Sequence, residues 1–315
     1  MKGLAKYFKK GNIDMYYVGG CVRDEIMGIK PDDIDICLVG GTRDKIRLIL
    51  EELDSVGIIS CFTSVFGNFP IWIVEVDGEK YEFAMARTER KIGETHQSFE
   101  CDVEGITIEQ DLARRDFRMN AIAKNVLTEE IVDPFKGIDD IKEKRLDVID
   151  PIAFAEDPLR VMRAARFLAR FDLNHTPNLI YTCDKIKPQG ISMERIGKEL
   201  MKFLSRPGNP HKFFWFLNFC GWEEAYFPEI HALREVPQNP IHHPEGCAYT
   251  HTMCCVEKAE GWFQKTVMLC HDLGKATTTT INGVDFKSWQ GGKQGYSAFD
   301  FKIQAIGHEE ESVRL

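Results

Sequence analysis

Asp33 and Asp35 stand one residue apart in Pro31-Asp-Asp-Ile-Asp-Ile-Cys-Leu-Val39. Side chains alternate faces along a strand, so an extended run here points both carboxylates one way and turns Ile34 and Ile36 into a core. Two like charges held side by side repel unless a cation lies between them. Hard oxygen ligands on a short strand suit Mg²⁺, which takes its remaining ligands from water and substrate phosphates. A solvated turn running into an edge strand is the plain alternative. The residues upstream weigh against it. Met15-Tyr-Tyr-Val18 reads as a buried strand, and Gly19-Gly20 permits a tight turn with exposed backbone amides before a helix opens near Cys21. A strand, a glycine turn and a helix start can together cradle a triphosphate. The chemistry these residues suggest is nucleotide-dependent phosphoryl or nucleotidyl transfer.

Other constellations bear on that chemistry. Arg114-Arg115-Asp116-Phe117-Arg118-Met119-Asn120-Ala121 packs cations, a carboxylate and an amide into what reads as two helical turns. Arginine forks match triphosphate oxygens, and Asp116 and Asn120 can hydrogen-bond a ribose hydroxyl. The same run also reads as a capped helix with i,i+4 pairs. Asp157, before Pro158, reads as a helix N-cap. Asp157 and Arg160 also offer an acceptor beside a donor fork, which can meet the Watson–Crick edge of cytosine or adenine. Arg160, Arg163 and Arg170, with Arg166 beside them, make a basic stripe that could hold phosphates or simply snorkel into solvent. Near the end, His251 in Tyr249-Thr-His-Thr and His271-Asp272 in Leu269-Cys-His-Asp-Leu-Gly-Lys275 form a plausible ligand set for a divalent-metal hydrolase.

Such residues need a scaffold. Strand-like runs cover Met15 to Val18, Ile34 to Val39, Ile71 to Val76 and Lys80 to Met85, and helical signals cover Asp24 to Met27, Arg43 to Leu53 and Asp116 to Ala123. This predicts a small mixed α/β domain over residues 1–140. The polar stretch from Arg90 to Asp111 has little periodicity and reads as a mobile loop beside a site. From Pro151 the pattern turns helical, with Ser192 to Leu204 a clear amphipathic helix. The fold class is therefore α/β plus all-α, with a helical middle over 141–236 and a histidine-rich region over 237–315.

Composition bounds the classes open to the chain. At 315 residues and 43% hydrophobic it can bury large cores. No apolar run approaches the ~20 residues that span a bilayer, so a cytoplasmic location and no membrane partner are expected. Ten cysteines occur without a CxxC pair, which predicts reduced thiols and no zinc cluster. The net charge is −9, yet Lys and Arg outnumber Asp and Glu between Lys142 and Lys212, a distribution that suits contact with a phosphate backbone.

Together the segments resemble the class II tRNA nucleotidyltransferases, the CCA-adding enzymes and bacterial poly(A) polymerases of the polymerase-β superfamily. Gly19-Gly20 with Arg23-Asp24, Gly28, Asp33 and Asp35 is similar to the family's catalytic motif. Arg114-Arg115-Asp116 with Asn120 is similar to its ribose and triphosphate motif, and Asp133-Pro-Phe-Lys-Gly137 to its hinge-like segment. Glu156-Asp157 with Arg160, Arg163, Arg166 and Phe167 is similar to its nucleotide-selecting helix, and Ile191 to Ile196 with Glu199-Leu200 to its last shared motif.

The resemblance implies a polymerase-β-like nucleotidyltransferase head followed by a helical neck and body. It implies two Mg²⁺ ions held by Asp33 and Asp35, with Glu82 as a third carboxylate, and a reaction of CTP and ATP with the tRNA 3′ end. Gly19, Gly20, Arg23, Arg114, Arg115, Asp116, Asn120, Asp157, Arg160, Arg163 and Arg166 are the nucleotide-binding residues it implies. The Arg90 to Asp111 segment resembles the loop such enzymes use to switch from CTP to ATP, which favours complete CCA addition. A poly(A) polymerase is the neighbouring alternative. The histidine-rich region resembles a partial metal-dependent phosphohydrolase (HD) domain, which implies Ni²⁺ or Mn²⁺ at His251, His271, Asp272 and His308. Hydrolysis of 2′,3′-cyclic or terminal phosphates at RNA ends is a further alternative. The same resemblance implies a distal Asp after His308, and residues 309–315 hold none.

Overall fold

A computed structural model of the protein describes residues 1–66, 70–91, 99–288 and 302–315. It divides into two units, Met1–Asp157 with His175–Leu179 and Pro158–Asn174 with Ile180–Leu315. In the first, β1 (Asp14–Val18), β2 (Ile34–Val39), β3 (Cys61–Phe66), β4 (Pro70–Val76) and β5 (Glu79–Met85) join a seven-stranded sheet. Its order is β3-β4-β5-β2-β1 followed by Ala123–Asn125 and Ile131–Val132. Only β2 and β5 run parallel; the other pairings are antiparallel.

Period-two patterning sorts the sheet's side chains. Met15, Ile36, Leu38, Tyr81, Phe83 and Met85 face one way, against α1 (Lys2–Lys10) and α3 (Arg43–Ser55). These helices present Leu4 with Phe8, and Ile46 with Leu50 and Leu53, at helical spacing. Phe8 meets Phe83 edge-on at 6.0 Å. α3 starts where expected because Thr42 accepts a hydrogen bond from the Lys45 amide. Val18 and Cys37 turn to the other face, packing with Ile108 and Leu112 of the helix Ile108–Ala113. Asp35 and Glu82, one residue out of phase with the first core, belong to this second face.

Some elements depart from the expected ones. Asp116 to Ala123 is no helix; a single 3₁₀ turn, Arg118–Asn120, leads into the strand Ala123–Asn125. Asp116 bends the chain there, its Oδ1 accepting from the Phe117 amide and from Asn120 Nδ2, both at 2.9 Å. Within the expected loop Arg90 to Asp111, residues 92–98 lie outside the described residues. The strands Thr88–Lys91 and Phe99–Asp102 pair antiparallel, and a capping box at Thr107 opens the helix Ile108–Ala113. The first unit also runs past the boundary expected at residue 140, where Phe154 packs on Phe117 at 5.6 Å.

The second unit is mostly helical, including Arg160–Arg170, Met193–Leu204, Pro210–Phe219, Ala248–Lys258 and Gly261–Cys270. Residue 236 lies within this unit. Glu223, fully buried, accepts from Arg234, whose Nη2 also donates to the Tyr249 hydroxyl at 2.8 Å. The histidine-rich region is not all helix: Thr279–Ile281 pairs with Val284–Asp285 and Ile303–Ala305 in a small sheet. Among the described residues no helix is long and apolar enough to cross a membrane.

Candidate active site

β2 and β5 bring the expected carboxylates together. Asp35 and Glu82 are Cα partners across the parallel pair, and Asp33 lies in the bend that enters β2. Burial pushes the Asp35 carboxyl above its usual range and Asp33 adds to the shift, while Arg115 works against it. Glu82 is also held up, by burial and then by the charges of Asp35 and Asp33. Neighbouring acidic groups such as these form a donor set suited to a hard divalent cation.

Gly19, between β1 and the helix α2 (Gly20–Ile26), adopts φ 70°, a left-handed value that glycine adopts without strain. A Cβ placed there would lie 2.6 Å from Arg115 Nη1 and 3.8 Å from Asp35 Oδ2. Glycine therefore lets Arg115 approach the carboxylates. Arg114 and Arg115 are both steered by Asp111, 1% exposed, which accepts from Arg114 Nη2 at 2.8 Å and Arg115 Nη2 at 3.1 Å. Burial pushes Asp111 up, but the two guanidinium charges outweigh it and hold the carboxyl below its usual range. Arg115 Nε is buried without a hydrogen-bond partner among the described residues. That leaves a donor for an anion beside a cavity of about 190 Å³ lined by Asp35, Glu82, Asp111, Arg114 and Arg115.

Arg23 and Asp24 are buried next to one another, the guanidinium donating to Asp24 Oδ1 and, through Nη1, to Asn120 Oδ1 at 2.6 Å. Asn120 in turn donates to Asp116. The glycine turn and the Arg114–Asn120 motif are thus joined by one buried polar chain, Asp24–Arg23–Asn120–Asp116. Gly20 opens α2 directly behind Gly19.

Asp157 closes the first unit and Arg160 begins the helix Arg160–Arg170 of the second. Asp157 is not that helix's N-cap; Leu159 takes the position and makes no side-chain cap. The basic stripe divides. Arg166 is 7% exposed, with Nε donating to Glu199 at 2.7 Å and its guanidinium over the Phe167 ring at 4.7 Å, so it serves the helical core rather than a solvent-facing phosphate site. The Arg163 guanidinium lies over the same ring at 5.8 Å.

A second cluster sits within the second unit. His271 Nδ1 donates to the Met268 carbonyl and His308 Nδ1 to the Ala305 carbonyl, both at 2.7 Å, while His251 Nδ1 is bound to the Glu245 carboxylate. Each ring therefore turns Nε2 toward Asp272: 3.2 Å for His271, 3.9 Å for His251 and 3.5 Å for His308. With the Nδ1 proton committed, a neutral ring faces the carboxylate with a lone pair, and such acceptors need a proton or a metal ion between them. Burial pushes Asp272 up, but in the absence of metal a proton on His271 Nε2 and the Lys275 ammonium donate to it, outweigh burial and hold the carboxyl down at about 2. Gly274 allows His308 its place, because a Cβ there would lie 2.2 Å from the His308 carbonyl. Beside the cluster a cavity of about 410 Å³ is lined by Gln238, His243, Lys275, Thr279 and His308. Both polar side-chain atoms of Gln238 are buried without a partner among the described residues.

Asp111 touches both arginines of the site and was not singled out in the sequence. Asp111 was within reach, since it stands three and four residues before Arg114 and Arg115.

The model of the poly(A) polymerase head domain family matches residues 15–147. A multifunctional CCA protein of Mannheimia succiniciproducens is 38% identical over 280 residues, covering 84% of this chain and 63% of its own. One from Nitrosomonas europaea is 36% identical over 310 residues, covering 96% and 67%. The chain thus spans about two thirds of the length of the curated relatives it matches. Among solved structures, the Bacillus stearothermophilus CCA-adding enzyme in complex with CTP superposes with a TM-score of 0.60 at 26% identity, over 87% of this chain and 64% of that one. The Thermotoga maritima CCA-adding enzyme complexed with tRNA gives 0.58 at 25% identity, over 77% and 56%. A mixed sheet carrying paired carboxylates beside a glycine turn and an Arg-Arg-Asp motif, with relatives this similar over this much of the chain, places the protein in the family of the multifunctional CCA proteins.

Proposed function

We propose that the protein is a CTP/ATP:tRNA nucleotidyltransferase that adds C, C and A to the tRNA 3′ end without a nucleic-acid template. The observation that carries this reading is the pairing of Asp35 with Glu82 across β2 and β5, with Arg115 brought in over Gly19. Two Mg²⁺ ions at Asp33 and Asp35, with Glu82 beside them, would supply charge neutralisation at the attacking 3′-oxygen and the leaving pyrophosphate. Arg114 and Arg115 bind the triphosphate, positioned by Asp111. Asp116 and Asn120 take the ribose, and the buried Arg23–Asp24 pair holds Asn120 in place. The family motif that they resemble gives base selection to Asp157 and Arg160, and makes Arg163 a further nucleotide-binding residue. An enzyme acting on tRNA, CTP and ATP works where they are found, in the cytoplasm. The test uses tRNA lacking its terminus and each labelled NTP in turn. The reading predicts incorporation of C followed by A and little of U or G, with Arg160→Ala losing that selectivity; absence of C incorporation would reject it.

The convergence of three Nε2 atoms on Asp272 favours a second activity in the same chain, metal-dependent hydrolysis of 2′,3′-cyclic or terminal phosphates at RNA ends. His251, His271, Asp272 and His308 would hold a divalent cation, which activates water as a nucleophile. Lys275, 2.7 Å from Asp272 Oδ2, and the unpartnered amide of Gln238 face the neighbouring cavity, where a phosphate and a polar substrate group would bind. A phosphatase signal that survives Asp35→Asn but not Asp272→Asn supports this assignment; loss with Asp35→Asn removes it.

A further inference from the structure

Cys255 is one helical turn beyond His251 on the helix Ala248–Lys258, so the two side chains share a face. Its Sγ lies 3.6 Å from His251 Nε2, the atom that also faces Asp272. The ligand atoms of His251, Cys255 and His271 all lie within 4.8 Å of one another. In a tetrahedral zinc site, metal–sulfur bonds of about 2.3 Å and metal–nitrogen bonds of about 2.0–2.1 Å put neighbouring donors roughly 3.3–3.7 Å apart. The separations from His251 Nε2 to Cys255 Sγ (3.6 Å), from His271 Nε2 to Asp272 Oδ2 (3.2 Å) and from His251 Nε2 to the same oxygen (3.9 Å) bracket that range.

We propose that Cys255 is a ligand of the metal at the His251–His271–Asp272 cluster, making it a thiolate site selective for Zn²⁺ or Co²⁺ over Mn²⁺ and Mg²⁺. The inference rests on reading the cluster as a metal site, but not on any hydrolysis there. Thiolate is a soft donor and imidazole a borderline one; together they prefer zinc, cobalt or nickel to oxygen-seeking cations. On loading, the Cys255 S–H bond breaks, the thiolate binds the metal and one proton leaves to solvent, so loading is proton-coupled. The nearby outer contacts suit this role: the Glu245 carboxylate and the Met268 carbonyl fix the tautomers that expose Nε2 of His251 and His271. A set of ten cysteines without a CxxC pair hides such a site, because its donors come from two histidines and an aspartate as well as the thiol.

Cobalt titration of the purified, reduced, metal-stripped protein tests the proposal by spectroscopy rather than by turnover. The expected result is cobalt d–d absorption together with a near-ultraviolet thiolate-to-cobalt charge-transfer band. That band is lost in Cys255→Ser and kept in Cys254→Ser, and Zn²⁺ but not excess Mn²⁺ displaces the cobalt. Cobalt affinity is expected to fall about tenfold or more in Cys255→Ser, the loss that even an outer-shell partner brings. Cobalt binding without the charge-transfer band in the unsubstituted protein overturns the cysteine assignment and leaves the histidine–aspartate metal site standing. No cobalt binding at all overturns both. Because the band is read first in the unsubstituted protein, failure of a variant to fold does not spare the proposal.

Discussion

At the scale of single residues, the account turns on acidic groups that a cation must relieve. Asp35 and Glu82 are held above the usual carboxylate range, so in the absence of metal their protonated forms favour the fold. A raised carboxyl contributes stability that is complete below its unfolded pKa and is lost as pH rises through the folded value. Mg²⁺ held at these carboxylates, as proposed, would take the place of those protons. The rise in melting temperature on adding Mg²⁺ is therefore expected to be small at pH 5 and larger at pH 8, and absent in Asp35→Asn; equal shifts at both pH values would contradict the assignment. Gly19 allows a sharper test. Gly19→Ala adds a methyl group at a left-handed φ and against Arg115 Nη1. Moving a catalytic group by about 1 Å can cost ~10²-fold in rate, and steady-state kinetics should show a fall of about that size in kcat with the fold retained.

At the scale of elements, β1, β2, β4, β5 and α3 were legible because alternation and helical spacing agree with burial, as in β2 and in Ile46, Leu50 and Leu53 of α3, whereas β3 and the strand Ala123–Asn125 were not. Asp33 and Asp35 could be read from the chain, but the place of Glu82 could not, since a parallel register with β2 is not written in local spacing. The Asp116 to Ala123 segment misled because its charge pattern mimics i,i+4 pairing, whereas Asp116 and Asn120 meet across a turn rather than along a helix. Arg166 looked like a surface cation for a similar reason: its partner, Glu199, lies on another helix. Breaking that buried pair with Arg166→Gln should destabilise the fold by about 3–5 kcal/mol. Burial pushes Glu199 up, but Arg166 and Arg163 outweigh it and hold the carboxyl below its usual range. A depressed carboxyl gives stability above its unfolded pKa that is lost as pH falls through the folded value. Urea unfolding from pH 7 to pH 4 should show less acid sensitivity in Arg166→Gln than in the parent; an unchanged pH slope would argue against the pair's role.

At the scale of the whole molecule, two polar clusters share one chain, carboxylates in the first unit and a histidine–aspartate cluster in the second. The cluster could be read only in part: His251, His271, Asp272 and His308 announce themselves as residue types, whereas Glu245 and Cys255 join them through folding. In the proposed function Asp35 serves nucleotidyl transfer to an RNA end. The measurement that tests it most directly is single-nucleotide extension of tRNA lacking its terminus, with CTP, ATP and Mg²⁺, resolved on a sequencing gel for the parent and Asp35→Asn. The parent is expected to extend the RNA by C, C and A in that order, and Asp35→Asn to extend it by nothing. Extension of equal rate and order in both proteins would contradict it.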